Sequence, residues 1–225
     1  MTGLEADLLV PIKSLSRAKT RLRGAAGDSV ADPGSHARLT LALGRDTIAA
    51  ARTAPGVHRV IALTSDPEVT EVLTADGVPV LADRPEHDLN GALTYGAEVL
   101  RATGTPRAIG ALQADLPALR TDELAEALAY AQDTFRVGRA TRAFCADSHG
   151  GGTTLLVCAP WSPLQPRFGV GSAVAHQRSG ALRLSGDWPG LRQDVDTPDD
   201  LWQAARLGLG PATAAVLRNV ARPRG

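Results

Sequence analysis

The chain has 225 residues, of which 44% are hydrophobic, and its 24 basic side chains balance 24 acidic ones. This length suits one α/β domain with a full core, and zero net charge argues against a general nucleic-acid binder, which carries a basic excess. The first apolar run, 8–12, is too short to span a membrane, and acids precede it where a signal peptide carries basic residues. Two cysteines, Cys145 and Cys158, suit neither a zinc site nor a disulfide framework. We therefore expect one cytoplasmic domain over 1–225.

The chain alternates strands and helices from its beginning to its end. Short apolar runs predict strands, and apolar residues at three- and four-residue spacing predict helices. The predicted strands are 7–12, 57–64, 78–82, 107–114, 139–146, 153–159 and 182–184, and 191–195 is a further extended segment. The predicted helices are 36–51, 68–75, 89–102, one that begins at 121, 173–177, 198–207 and 211–220. Strand–helix pairs with short connections predict a three-layer α/β/α fold around a mostly parallel sheet.

The predicted strand 107–114 is mostly apolar, with a continuous apolar run at 108–112, which is typical of a central strand buried on both faces. Asp115 follows it directly, and Pro117 prevents the strand from continuing. Open α/β sheets bind their ligands beyond the carboxyl ends of such strands. Asp115 is therefore the first candidate for a catalytic or metal-binding carboxylate.

A second pair of acids, Asp194 and Asp196, lies at the end of the extended segment 191–195. Residues two apart on extended backbone point the same way, so these two carboxylates face one side. Capping of the next helix accounts for Asp199 and Asp200 but not for this pair. Together with Asp115 the pair would hold a hard cation such as Mg²⁺, which binds oxygen ligands from carboxylates and substrate phosphates.

Basic residues after the first strand supply the opposite charge. The chain has 22 arginines but two lysines, Lys13 and Lys19, and both fall in one short segment together with Arg21. A lysine ammonium reaches a phosphate as a compact point charge. The segment has neither a Walker pattern nor a G-x-G-x-x-G pattern, so it predicts a triphosphate site outside the P-loop and Rossmann classes.

Two glycine-rich loops late in the chain add candidate phosphate sites. Backbone N–H groups of residues 150–152 are predicted to converge on phosphate oxygens, and Ser172, after Gly169 and Gly171, begins a helix whose dipole attracts anions. We expect the N–H groups at this helix start and at the first threonine of the strand 153–159 to be unpaired.

In combination these motifs resemble the guanylyltransferases of coenzyme F420 biosynthesis, the CofC/FbiD family. The similarity runs through nearly the whole chain in order, and its motifs are VPIK at 10–13, AKTRL at 18–22, LN at 89–90, QADLP at 113–117, PRFG at 166–169, GS at 171–172 and DVDTP at 194–198. The resemblance implies a nucleotidyltransferase fold of the glycosyltransferase-A kind that uses Mg²⁺ and GTP.

The resemblance also implies roles for single residues. It assigns the metal to Asp115, Asp194 and Asp196, and the acceptor phosphate to Thr154, Gly169 and Ser172. Their charge and their place after the first strand make Lys13, Lys19 and Arg21 the candidates for the nucleotide, and residues 64–66 and Asn90 are the candidate neighbours of the guanine. The run Gly150–Thr154 is more glycine-rich than the family pattern, which leaves both Thr153 and Thr154 as candidates for the phosphate contact.

The expected reaction is the transfer of GMP from GTP to the phosphate of phosphoenolpyruvate, because the arginine- and alanine-rich chain resembles the actinobacterial members of the family. The same site suits 2-phospho-L-lactate or 3-phosphoglycerate, or the phosphate of a sugar or of molybdopterin. A catalytically silent nucleotide-binding protein is the alternative from another class, and the intact acids and lysines argue against it. The sequence gives no indication of the oligomeric state.

Overall fold

The computed structural model describes residues 5–15, 33–85, 88–102 and 106–220. Its seven strands are β1 (Ala6–Pro11), β2 (Val57–Leu63), β3 (Val80–Leu81), β4 (Ala108–Leu112), β5 (Arg142–Ala146), β6 (Thr153–Cys158) and β7 (Leu182–Arg183). The described helices are α1 (Pro33–Thr53), α2 (Pro67–Ala75), α3 (Leu89–Ala102), α4 (Thr121–Arg136), α5 (Ser172–Arg178), α6 (Pro189–Arg192), α7 (Pro198–Leu207) and α8 (Pro211–Val220).

The strands form one sheet in the order β3-β2-β1-β4-β6-β5-β7. Every neighbouring pair is parallel except the two pairs that include β6, which is antiparallel to both β4 and β5. All five residues of β4 are buried, as the continuous apolar run predicts. The expectation of a mostly parallel sheet is therefore confirmed.

Helices cover both faces of the sheet and complete three layers. One core cluster packs β1 and β4 against α1, α2 and α4, through side chains such as Ile48, Leu73 and Leu128. The cluster on the other face packs the same strands against α3 and α5, through Leu93 and Ala173. A third cluster joins α1 to α7 and α8 beyond the end of the sheet. None of the described helices is both long and apolar enough to cross a membrane.

The pairing of β5 with β6 contains a β-bulge at the start of β6. Cys145 pairs with Leu155 and Ala146 pairs with Thr153, so Thr154 is an extra residue on β6. Such a bulge re-aims the side chains beside it. Strict alternation from Leu155 would place Thr154, and not Thr153, on the layer of α3 and α5. The bulge changes this, and Thr153 faces that layer.

The extended segment before Asp194 differs from its prediction. Within the described residues no strand covers 191–195, because Leu191 and Arg192 belong to the short helix α6, which Pro189 begins. Residues 193–195 belong to no strand and to no helix. Asp194 and Asp196 therefore lie on a connecting segment and not at the end of a strand, and the prediction of a strand end was wrong.

Candidate active site

Candidate site residues within the described part of the chain lie along the edge of the sheet where the parallel strands end. Lys13 follows β1, Asp115 follows β4 and Asp147 follows β5. Because β6 is antiparallel, its first residue, Thr153, lies at the same edge. Strand order therefore gathers polar residues from distant parts of the sequence at one place, which is the usual ligand site of an open α/β sheet.

The segment that carries Asp194 and Asp196 is joined directly to Asp115. The backbone N–H of Val195 donates to the carbonyl oxygen of Asp115 at 3.0 Å. Val195 is buried against Leu39 and Leu201, so its two acidic neighbours point away from that core: Asp194 is half-buried and Asp196 is exposed. This hydrogen bond places the segment of Asp194 and Asp196 next to Asp115, from which the sequence separates it by about eighty residues.

The chemistry of these acids fits a hard cation, but the number of carboxylates that could bind one ion together is limited. All three offer carboxylate oxygens, which suit Mg²⁺ and not the softer metals. Among the residues that the structure describes, however, no three acidic, histidine or cysteine side chains stand close enough to hold an ion by themselves. The described residues can thus supply one or two carboxylates, and Mg²⁺ bound in this way takes its other ligands from water and phosphate.

A cavity of about 370 Å³ opens at the ends of β1, β2 and β3. Its lining is mixed, with apolar Leu63 and Leu89 beside Lys13, Ser65 and Asp83. Lys13 is exposed there, while Lys19 and Arg21 lie outside the described residues.

Asp66, a further acid of this cavity, is already committed to the fold. Its carboxylate accepts from Ser14 Oγ at 3.0 Å and from Leu15 N at 2.9 Å, and it also caps α2. Burial raises the pKa of Asp66, but these hydrogen bonds outweigh burial and its pKa lies below the ordinary value. Asp66 therefore acts as an ionised structural acceptor.

Asn90 contacts a loop that is remote in sequence. Its amide nitrogen donates to the Phe168 carbonyl at 3.0 Å, and its amide oxygen accepts from Phe168 N at 2.7 Å. Both ends of the side chain are thus used on the backbone of the segment that leads into α5. This arrangement couples Asn90 to the predicted acceptor side of the site.

The glycine-rich loop 147–152 is ordered by a residue that sequence reasoning missed. The Asp147 carboxylate accepts from Gly151 N at 3.0 Å and from Gly152 N at 2.7 Å. A Cβ at position 152 would overlap that carboxylate, which explains the glycine there. Ala173 N then donates to the Gly151 carbonyl at 3.1 Å and ties this loop to α5. An aspartate four residues before a glycine pair was the available signal.

Thr153, Ser172 and His176 form a buried polar group where β6 meets α5. The Ser172 hydroxyl lies 3.2 Å from Thr153 Oγ1, and His176 Nδ1 lies 3.0 Å from the same oxygen. The Thr154 hydroxyl instead contacts the Cys145 thiol, whose pKa is raised by burial, on the other face of the sheet. Of the two candidate threonines, Thr153 therefore shares a face with Ser172. His176 was missed, although its spacing of four from Ser172 on a helix was a signal.

The prediction of unpaired N–H groups at the start of α5 was wrong. Ser172 N donates to the Gly169 carbonyl at 3.1 Å, and Ala173 N is bonded to Gly151. Gly169 and Gly171 adopt positive φ, 131° and 71°, which allows this tight turn. In this part of the site, the hydroxyl groups of Thr153 and Ser172, and not these two N–H groups, are the candidate hydrogen-bond donors to a ligand.

Comparison with known sequences identifies a family. The sequence model of the family described as "Guanylyl transferase CofC like" matches residues 6–221. The phosphoenolpyruvate guanylyltransferase of Geodermatophilus obscurus is 48% identical over 219 residues, which cover 97% of each chain. The enzyme of the same name from Streptomyces coelicolor is 46% identical over 214 residues, with 95% of this chain and 96% of that one covered.

Solved structures agree on the fold. A nucleotide-diphospho-sugar transferase from Desulfovibrio desulfuricans G20 superposes with a TM-score of 0.64 at 17% identity, covering 96% of this chain and 98% of the other. A nucleotidyl transferase from Methanothermobacter gives a TM-score of 0.62 at 18% identity, covering 96% and 99%. The predicted nucleotidyltransferase fold is confirmed, and by sequence the chain belongs to the CofC-like guanylyl transferase family of enzymes.

Proposed function

We propose that the protein transfers GMP from GTP to the phosphate of phosphoenolpyruvate, in coenzyme F420 biosynthesis in the cytoplasm. The products are enolpyruvoyl-2-diphospho-5′-guanosine and pyrophosphate. An oxygen of the acceptor phosphate forms the new bond to the α-phosphorus of GTP. The bond from the α-phosphorus to the bridging oxygen breaks, and pyrophosphate leaves with that electron pair.

Two backbone hydrogen bonds are the main structural support for this proposal. Gln113 N donates to the Thr154 carbonyl at 2.9 Å, and Val195 N donates to the Asp115 carbonyl at 3.0 Å. The start of β6, with its hydroxyl pair, is therefore a direct neighbour of the segment that leads to Asp115 and Asp194. A phosphate held by Thr153 and Ser172 would lie beside the acids proposed to hold the metal.

The chain's own residues supply position and charge. The second pKa of a phosphate monoester is about 6, so the acceptor is already a dianion at neutral pH and needs no general base. Its approach to a triphosphate requires charge neutralisation instead. One or two of the carboxylates of Asp115, Asp194 and Asp196 would hold Mg²⁺, and the bound ion would supply positive charge next to the phosphates. Lys13, with Lys19 and Arg21, would hold the triphosphate.

The choice of phosphoenolpyruvate rests on the relatives, since hydroxyl donors recognise a phosphate without reading what carries it. The curated relatives from Geodermatophilus and Streptomyces are both named for this acceptor. Cytoplasmic action is supported by Cys145 and Cys158, which are buried and reduced.

The test is a mass-spectrometric screen of acceptors with GTP and Mg²⁺. Phosphoenolpyruvate, 2-phospho-L-lactate and 3-phosphoglycerate are compared by kcat/KM, and the Asp115→Asn variant controls for contaminating activity. We expect the highest kcat/KM with phosphoenolpyruvate and loss of transfer after chelation. A preference for another acceptor would overturn the substrate assignment alone, whereas full activity after exhaustive chelation would overturn the proposed metal site.

A further inference from the structure

His176 is an ionisable side chain with no part in the transfer step described above. It lies on α5 with no exposed surface, between the rings of Phe144 at 5.7 Å and Phe168 at 5.1 Å. A fully buried imidazole whose two nitrogens are both hydrogen-bonded has a fixed orientation. What those two bonds do therefore decides the role of the residue.

The two bonds fix the tautomer of the ring. Arg167 N is a backbone donor and lies 2.9 Å from His176 Nε2, so Nε2 must carry the lone pair. Burial, followed by the positive charges of Arg142 and Arg167, lowers the pKa of His176 to about 4. The ring is thus neutral at physiological pH, its proton is on Nδ1, and Nδ1–H donates to Thr153 Oγ1.

A count of protons then shows what the group offers to a ligand. Thr153 and Ser172 contribute two hydroxyl protons, and a single hydrogen bond joins the two oxygens. If Ser172 donates to Thr153, the Thr153 proton remains; if Thr153 donates to Ser172, the Ser172 proton remains. In either arrangement one O–H is left to donate outside the group, because the imidazole already donates to Thr153.

We propose that His176 is a positioning residue that makes the Thr153–Ser172 pair a hydrogen-bond donor to the acceptor's phosphate. Its Nδ1–H occupies a lone pair of Thr153 Oγ1 and cannot accept the spare hydroxyl proton, so the pair presents that proton and suits a phosphate dianion, which only accepts. Its Nε2 fixes the backbone at Arg167, next to Phe168, which Asn90 holds. The inference deepens the proposed function, since it concerns the same acceptor site.

Two substitutions separate the two bonds of the ring. In His176→Asn the side-chain amide lies where Nδ1 lies, so it keeps a donor to Thr153 but cannot reach Arg167 N. In His176→Gln the amide oxygen lies where Nε2 lies, so it keeps an acceptor for Arg167 N but removes the donor to Thr153. We expect His176→Gln to raise the KM for acceptor about tenfold, the cost of one hydrogen bond of about 1.4 kcal/mol, and to leave the KM for GTP unchanged. His176→Asn should retain most of the acceptor affinity.

Thr153 provides the second arm of the experiment. Thr153→Val removes the hydroxyl with little change of shape and should raise the acceptor KM by a similar factor, whereas Thr153→Ser should restore it. In the double variant Thr153→Val with His176→Gln, the KM should be no higher than in Thr153→Val alone, because His176 acts through that hydroxyl. His58→Gln, at an exposed histidine on β2, is the matched control.

The outcomes distinguish this inference from the proposed function. A normal acceptor KM in Thr153→Val, or equal KM values in His176→Gln and His176→Asn, overturns the inference and leaves the reaction standing. If the wild type transfers GMP to no phosphorylated acceptor, the proposed function fails. In that case the inference is tested by calorimetric titration of the wild type and of Thr153→Val with inorganic phosphate. Equal phosphate affinities in the two proteins would overturn it. Nitrogen NMR of His176 must also show the Nδ1–H tautomer, and the opposite tautomer would overturn the proposal.

Discussion

The carboxyl edge of the sheet has two halves that differ in how their polar groups are used. Around β4–β6 the polar side chains bond to one another and to backbone: Asp147 to its glycine loop, Asn90 to Phe168, and His176 to Thr153. Around β1–β3 the edge opens into the cavity of about 370 Å³, where Lys13 is exposed. We call these the acceptor half and the nucleotide half.

The difference indicates how each half recognises its ligand. A site whose donors are already oriented binds and stabilises charge without reorganising, which favours the half where the attacking phosphate must be aligned. The nucleotide half has room and an exposed charge, and it suits a large substrate. A substitution in one half should therefore change the kinetics of one substrate, and substitutions at the boundary should change turnover itself.

The boundary acids should show the largest effect. Asp115→Asn and Asp194→Asn are each expected to lower transfer by about 10²-fold or more, with the fold intact, because one strong electrostatic contact in the transition state is lost. Steady-state turnover and circular dichroism measure both parts. Asp199→Asn, at a nearby exposed acid in the first turn of α7, is the control. Turnover close to wild type in either variant would remove that acid from the metal site.

A charge lost from the nucleotide half should have the next largest effect. Lys13→Ala is expected to weaken GTP binding about tenfold, since a charge-assisted hydrogen bond is lost at a partly solvated site, with the acceptor KM unchanged. Lys13→Arg should restore binding in part, because the guanidinium fork has another geometry. Calorimetry with GTP measures this, and Arg139→Ala, at an exposed arginine before β5, is the control. Unchanged GTP affinity would show that Lys13 lies off the triphosphate.

Substitution of Asn90 should have a smaller effect, and it tests whether this residue belongs to the acceptor half or to the nucleotide half. The sequence assigns this residue to the nucleotide, whereas both of its amide groups contact Phe168. Asn90→Ala leaves the buried Phe168 backbone without these partners, so we expect about 1–3 kcal/mol less stability and a severalfold higher acceptor KM. Asn219→Ala, at an exposed site on α8, is the control. A rise confined to the GTP KM would return Asn90 to the nucleotide half.

The protonation of His176 should change nothing at neutral pH and should appear only in acid. Its pKa is lowered from 6.5 to about 4, so between these pH values the unfolded chain binds a proton that the folded chain does not. The free energy of unfolding therefore falls as pH is lowered through this window, by at most about 1.4 kcal/mol per unit, and is fully present above it.

Urea unfolding of wild type and His176→Asn across that window measures the contribution of this ring. Carboxylates that titrate in the same range are common to both proteins and cancel in the difference. The stability difference between them should shrink as the pH falls. A difference that stays constant with pH would show that the ring is not held neutral.

The sequence predicted those features that depend on residues close together along the chain. The unbroken apolar run of β4 and the acid that follows it predicted the central strand and Asp115. The capping role of Asp200 at the start of α7 was also predicted, and the structure shows it as a capping box in which Thr197 is the N-cap.

The features that the sequence did not predict depend on pairing between distant segments. The bulge at Thr154 results from the register of β6 on β5, and the Asn90–Phe168 contact spans 78 residues. The pairing of Ser172 N with Gly169 follows from left-handed backbone at Gly169 and Gly171, which composition alone does not fix. Local patterns predicted that these residues lie at one edge of the sheet, and long-range contacts determine how their side chains are oriented there.

The bulge at Thr154 has a consequence for how this site tolerates insertions and deletions. Thr153 now stands opposite Ala146, and removal of one residue from the bulge would close the ladder with a threonine still at that place. Two adjacent threonines thus keep a hydroxyl next to Ser172 in either register. Between relatives, a single-residue gap at this point of an alignment is compatible with the proposed phosphate contact, whereas Thr153→Val without a gap removes the hydroxyl on which that proposal depends.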